Sequence, residues 1–387
     1  MLGTRGVPAA YGGFETAVEE IGARLVQRGH EVTVYGNRSA PEVSEHRGMR
    51  VVHVPALPLK QLDTLSRTGL ATLHAIAGDA PDAAFVFNAA NAPYVSLLRA
   101  RGIPVAVHVD GLEWRRAKWG GAGRAYYRWA EEHAVRAADA LIADAPGIAA
   151  YYDAEFAVPT ELIRYGAPLR GPVCPERLAE LGLEPDRFHL VVARFEPENH
   201  VVEIVEGYRR SRARLPLAVV GSAPYSAAYT RAVREAAVDD PRIRLLGGVW
   251  DQDLLDGLYA HARTYVHGHS VGGTNPSLLR AMGAGTATIA FDVDFNREVL
   301  DDDAWMFADA AQLGGALERA EADGALVRAR GARAQERAAQ VFRWADVADA
   351  YERLAARLAA GDSVHPEARH TRRAPSRPVA RADRVPS

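Results

Sequence analysis

Short apolar runs of strand length alternate with helix-patterned segments along almost the whole chain, and this alternation restricts the fold more than any other feature. Residues 31–35, 51–54, 83–87, 105–109 and 140–143 read as strands in the first half, and 189–193, 217–220, 243–246, 264–266 and 288–290 in the second. Most lack the polar alternation of a half-solvated strand, as expected of strands buried on both faces. Between them the period changes. Phe14, Ala17, Val18, Ile21, Leu25 and Val26 share one face of a helix over 14–28, with Glu19, Glu20, Arg24 and Arg28 turned away. Further helices fall near 201–211, 227–237, 253–260, 276–283 and 309–322. The expected class is α/β, with parallel sheets covered on both faces.

A chain of 387 residues is too long for one ordinary core and suits two domains. Gly166, Pro168, Gly171 and Pro172 cluster where the join is expected, which gives domains over 1–168 and 169–340. From 361 to 387 Pro, Arg, Ser and His dominate, and this tail reads as disordered. A net charge of -3 gives no general argument for nucleic acid, and none is expected as a partner. The single cysteine, Cys174, cannot form an internal disulfide; it suits a reducing compartment and reads as a small packed hydrophobe. With no apolar run of spanning length and no signal peptide, the expected location is cytoplasmic. The start departs from pattern. Met1-Leu2 runs straight into the strand-to-helix loop Gly3-Thr4-Arg5-Gly6-Val7-Pro8, so a preceding strand is missing and the start is expected to lie upstream.

Three loops carry the chemistry. The first, Ser270-Val271-Gly272-Gly273-Thr274-Asn275-Pro276, follows a strand and opens a helix, with Asn275 placed to cap it and Pro276 at the first helical position. Paired glycines, free N–H groups and the helix dipole favour an anion such as a diphosphate, although the same spacing suits a turn with no ligand. The second, Ala193-Arg194-Phe195-Glu196-Pro197-Glu198-Asn199, ends a buried strand. The Arg194 fork suits phosphate oxygens, or else an ion pair with Glu196 or Glu198. The third is the opening loop, where Gly3, Gly6, Gly12 and Gly13 place N–H groups ahead of a helix. No acid ends the second strand, which disfavours a nicotinamide oxidoreductase. Asp292 and Asp294 read as loop and cap residues, and no metal site is expected. Residues Trp114 to Trp129 interleave Arg and Lys with Trp and Tyr. That mixture suits either an anionic membrane surface or ordinary helix packing.

These motifs, with Tyr11-Gly12-Gly13-Phe14-Glu15-Thr16, Val109-Asp110-Gly111-Leu112-Glu113-Trp114 and Phe295-Asn296-Arg297-Glu298-Val299-Leu300, resemble in order a branch of the family-4 retaining glycosyltransferases. That branch includes bacterial rhamnosyltransferases of capsule and exopolysaccharide assembly. The resemblance implies a GT-B fold: two Rossmann-like domains facing a cleft, with a C-terminal helix over 341–360 crossing back to the first. It implies a nucleotide-sugar donor, used as a substrate with no cofactor, and a lipid-linked or polysaccharide acceptor at the inner face of the membrane. Arg194, Ser270, Gly272, Gly273, Thr274, Asn275 and Glu298 would serve the donor, and Trp250 and Asp251 its nucleobase. Arg5, Tyr11, Gly12 and Gly13 would lie on the acceptor side. His108 and Asp110 would be the catalytic residues, facing the transferred sugar or the acceptor hydroxyl.

The sequence departs from the family where two glutamates eight residues apart are usual: Gly272 and Arg280 stand there instead, and Asn199 replaces a phosphate-contacting Lys. Arg280 would then be a phosphate contact or a salt bridge. A non-catalytic nucleotide-sugar binder and a GT-B sugar-nucleotide epimerase stay open. A phosphorylase does not, because no lysine for pyridoxal phosphate occurs in the second half.

Overall fold

The computed structural model describes residues 1–9, 12–37, 43–57, 63–109, 111–116, 119–169, 171, 173–222 and 226–365. Tyr11, Asp110, Pro172 and the tail beyond residue 365 therefore lie outside the described residues.

The first domain contains β1 (Thr33–Asn37), β2 (Glu45–His46), β3 (Met49–Val54), β4 (Ala84–Phe87), β5 (Val105–His108), β6 (Ala140–Ala143) and β7 (Glu161–Leu162). They form one sheet of order β1-β3-β2 and another of order β4-β5-β6-β7. Met1–Gly3 stand between the two, where the sequence predicts a missing strand. The Tyr35 amide donates to the Met1 carbonyl at 3.1 Å, and Leu2 exchanges bonds of 2.9 Å with Phe85 and Phe87. Leu2 pairs with Val86 as a single parallel bridge. Two residues thus splice the sheets into one sequence of neighbours. Helices α1 (Gly13–Gln27), α2 (Asp63–Ala77), α3 (Val95–Ala100), α4 (Gly121–Ala137) and α5 (Pro146–Phe156) cover its faces.

In the second domain, β8 (His189–Val192), β9 (Leu217–Val220), β10 (Ile243–Gly247), β11 (Thr264–His267), β12 (Thr288–Phe291) and β13 (Trp305–Phe307) pair in parallel in the order β10-β9-β8-β11-β12-β13. This is the doubly wound order of a dinucleotide-type sheet, reversing direction beside its first strand. Helices α6 (Val201–Arg210), α7 (Ala227–Ala237), α8 (Gln252–His261), α9 (Pro276–Gly283), α10 (Asp294–Leu300), α11 (Ala310–Ala322) and α12 (Gly324–Val341) belong to this half. The sequence reading missed β13, α10 and α12. The first two are short, and α12 is Ala- and Arg-rich with few large apolar residues to reveal its period.

Helix α13 (Trp344–Ala360) crosses back to the first domain. Trp344, Val347, Ala348, Tyr351, Leu354 and Leu358 form its buried stripe at helical spacing. It packs along α1, where Arg28 donates to Glu352 at 2.7 Å and His30 lies 2.7 Å from the same carboxylate. Beyond Gly361 the chain stays on the first domain as far as residue 365, with the Val364 amide donating to the Asp139 carbonyl at 2.9 Å. Cys174 is exposed rather than packed. No helix among the described residues is long and apolar enough to cross a membrane.

Candidate functional site

Where strand order reverses, loops leaving neighbouring strands part in opposite directions and open a crevice. In the second sheet this place lies between β8 and β11. Their loops, 193–199 and 268–275, open into an interdomain cleft of about 1940 Å³. The loops are joined. The Asn199 amide nitrogen donates to the Arg194 carbonyl at 2.8 Å, and its oxygen accepts from His269 Nδ1 at 2.8 Å. Ser270 donates through its amide and hydroxyl to the Glu198 carbonyl at 2.9 and 3.2 Å. Asn199 is therefore spent on holding the two loops together.

Asn275 caps α9, its side chain accepting from the Ser277 amide at 2.9 Å, with Pro276 first in the helix. Across the cleft α1 begins at Gly13. A Cβ on Gly13 would lie 2.8 Å from Pro276 Cγ, so the N-termini of the two helices meet. Both direct partial positive charge and backbone N–H groups towards one place, which favours an anion there. Arg194 lines the cleft beside them and pairs with Glu196 at 3.5 Å, the ion pair being one of the two readings of this residue.

The two domains touch over the glycine loop. Thr274 Oγ1 donates to the Asp144 carbonyl at 3.0 Å. A Cβ on Gly111 would fall 2.2 Å from Gly272 Cα, and one on Gly273 would fall 2.2 Å from Asp144 Oδ1. Gly272 itself has φ +125°, where only glycine is unstrained. A glutamate at this position would strain the loop, which accounts physically for one departure from the family pattern.

The cleft walls include Arg5, Gly12, Gly13, Arg194, Trp250, Gly272, Gly273, Thr274, Asn275 and Arg280. Four expected site residues lie elsewhere. Asp251 caps α8, accepting from the Asp253 and Leu254 amides, and pairs with Arg177 at 2.6 Å. Ser270 serves the loop join described above. Glu298, on α10, accepts from the Gly147 amide at 3.4 Å, at an interdomain contact near the start of α5. His108 is a core residue: its Nδ1 lies 2.8 Å from the Tyr351 hydroxyl, and Phe14, Phe87 and Tyr165 enclose the ring. A strand end whose neighbours are all buried gave no sign of which way that imidazole would turn. Asp292 holds Arg297 through bonds of 2.6 and 2.7 Å, and Asp294 opens α10.

Arg280 reaches Asp256 from Nε at 2.7 Å and the Gln252 side chain from Nη1 at 2.9 Å, over the Tyr259 ring. The salt bridge is the alternative seen. Replacing Arg280 with alanine takes a charged partner from buried Asp256 and should lower unfolding stability by about 1–3 kcal/mol. Thermal melting checks this. An unchanged melting temperature with a raised donor KM would instead make Arg280 a phosphate ligand.

Burial holds His108 and His267 neutral, pushing both down to about 3. It pushes His269 and His189 down as well. A histidine depressed on folding stabilises fully above its unfolded pKa of about 6.5 and loses that contribution as pH falls. Glu131, pushed up to about 7 by burial, works in the opposite sense. Urea unfolding should therefore show stability falling from pH 7 to pH 5. His108→Phe should flatten that dependence by about 1–2 kcal/mol whatever its effect at neutral pH.

Sequence reasoning missed Arg116, Glu113 and Asp144, all of which line the cleft. The first two were absorbed into the aromatic–basic segment, although an acid and a base three apart were a visible signal. In that segment the guanidiniums of Arg115 and Arg128 lie over the Trp114 ring, 5.0 and 5.2 Å from its centroid, and the Tyr126 hydroxyl donates inward to the Ala90 carbonyl at 2.7 Å. Trp129, Arg124, Arg128 and Arg136 face outward.

Two doubly wound domains enclosing a cleft, with an anion-suited glycine loop in one wall, define the GT-B class of glycosyltransferases. Residues 12–166 match the family described as glycosyl transferase 4-like domain, and residues 187–323 match glycosyl transferases group 1. Each half of the chain thus matches a glycosyl transferase domain model, and the fold is of the GT-B class. Among solved structures the chain is similar to sucrose-phosphate synthase from Thermosynechococcus elongatus, at 23% identity and TM-score 0.78, over 90% of this chain and 94% of that one. It is also similar to Anabaena HepE in complex with UDP-glucose, at 15% identity and TM-score 0.74, over 91% and 98% of the two chains. A third is trehalose 6-phosphate synthase from Burkholderia multivorans, at 14% identity and TM-score 0.70, over 95% and 97%. No curated protein matches the chain by sequence.

Proposed function

We propose that the protein transfers a sugar, with rhamnose the first candidate, from a nucleotide-sugar to a lipid-linked or polysaccharide acceptor, with retention and without a metal. The observation that carries this reading is the convergence of Arg194, the glycine loop and two helix N-termini on one place in the interdomain cleft. A leaving diphosphate needs that charge, and preorganised donors stabilise it most where water is excluded. Trp250, exposed on the cleft wall, offers a ring to the nucleobase. The donor's own phosphate would take the acceptor proton, with the protein positioning the partners.

A thermal-shift screen against nucleotide-sugars tests the donor, because a bound donor stabilises the fold by mass action. Transfer is then followed with the stabilising donor, a lipid-linked glycan and EDTA, and the product anomer is read by NMR. Conversion of donor alone to an epimer would support an epimerase. Binding without transfer would support a non-catalytic protein.

The outward face of α4, with Trp129, Arg124, Arg128 and Arg136, is the part of the aromatic–basic segment suited to an anionic membrane. Vesicles containing phosphatidylglycerol should retain the protein. Arg124→Glu with Arg128→Glu should weaken retention at least tenfold, at about 1 kcal/mol for each basic residue. Equal retention of the double variant would remove the membrane from this reading.

A further inference from the structure

Arg116 leaves the first domain and ends among residues of the second. It is buried, its Nε pairs with Glu113 on its own loop, and its Nη1 lies 3.7 Å from Glu198 Oε1 on the loop after β8. Neither Glu198 side-chain oxygen accepts a hydrogen bond. Burying a carboxylate is costly unless hydrogen bonds satisfy it, so this contact across the domains is a poor resting state for Glu198. Its position is specific. A Cβ built on Gly272 would lie 4.0 Å from Arg116 Nη2 and 3.4 Å from His269 Nε2, so the guanidinium sits directly over the glycine loop. Arg194, from the other domain, lines the same cleft as Arg116 and His269. Arg194 has a buried acid of its own, Glu196, whose carboxyl oxygens likewise accept no hydrogen bond.

Two arginines from opposite domains thus flank the loop, each held by an incompletely satisfied carboxylate. A diphosphate would offer both the bidentate oxygens that these carboxylates do not supply at hydrogen-bond distance. We propose that Arg116 is a ligand of the donor diphosphate, and that Glu198 is the partner it leaves when the donor binds. The donor is then gripped from both domains, and its binding exchanges one interdomain contact for another. This rests on the nucleotide-sugar reading above.

The test is isothermal titration of UDP, dTDP and GDP, and of their nucleosides, into the full chain. Arg116→Gln should weaken the diphosphates that the wild type binds by about 10- to 100-fold and leave the nucleosides unchanged. Glu198→Gln should tighten the same diphosphates by about 3- to 10-fold, because a competing anion is removed. A merely structural ion pair predicts weakening, or no change, in both variants. Diphosphate binding by Arg116→Gln equal to wild type would overturn the proposal, as would weakening by Glu198→Gln. If Arg116→Gln does not fold, Arg116→Lys keeps the charge without the fork and should show a smaller loss of the same kind. Failure of the wild type to bind any of the three diphosphates would refute the donor reading itself, a result distinct from the others.

Discussion

Arg194→Ala is expected to reduce turnover about 10²- to 10³-fold, the scale on which one preorganised donor to a developing anion is lost. Its guanidinium lines the cleft at the point where strand order reverses, next to the start of α9. The substitution has a second cost. Glu196 is 2% exposed, and its carboxyl oxygens accept no hydrogen bond, so removing Arg194 leaves that acid uncompensated. Loss of transfer should therefore come with a lower melting temperature. The double change Arg194→Ala with Glu196→Gln separates the two effects: stability should return while turnover stays low. Recovery of turnover in the double variant would show that Arg194 matters only as a partner of Glu196.

Gly111→Ala should be about as damaging, for a steric reason. The added methyl would meet Gly272 Cα at 2.2 Å, and that obstacle is backbone with no rotamer to yield. Relief requires the glycine loop or the whole domain to move. A shift of about 1 Å at a reacting centre can cost on the order of 100-fold in rate. Neither domain's core is touched, so the melting temperature should change little. Gly121→Ala, where nothing lies within 4 Å of the added carbon, is the control and should behave as wild type. Full activity of Gly111→Ala would mean that the two loops separate during turnover and that their contact is incidental.

Much of the fold was legible because parallel strands buried on both faces leave long apolar runs, and the helices between them keep one greasy face. All ten strands expected from sequence occur, within a residue or two at their ends. The Asn275-Pro276 signal located the start of α9 to the residue, because capping is local chemistry. The glycine and Arg194 loops could be placed at strand ends for the same reason. What local pattern could not reveal was pairing across the chain. Arg116 finds Glu198, His108 finds Tyr351, and Gly111 meets Gly272 only once two sheets are folded and apposed. His108 shows the limit well: a polar residue at a strand end suggests a site, yet a hydroxyl supplied 243 positions later makes it part of the core.

That last contact also bears on how the protein is made. During synthesis, domains generally fold as the chain emerges, the N-terminal one first. Here the first domain lacks a wall of its interior until α13 has been translated, since Tyr351, Leu354 and Leu358 come from that helix. The second domain is continuous in the chain and can close while the ribosome is still extending the polypeptide. The order of maturation is thereby reversed. The half that is read first is finished last, and the nascent chain carries an unsealed apolar face until α13 leaves the exit tunnel.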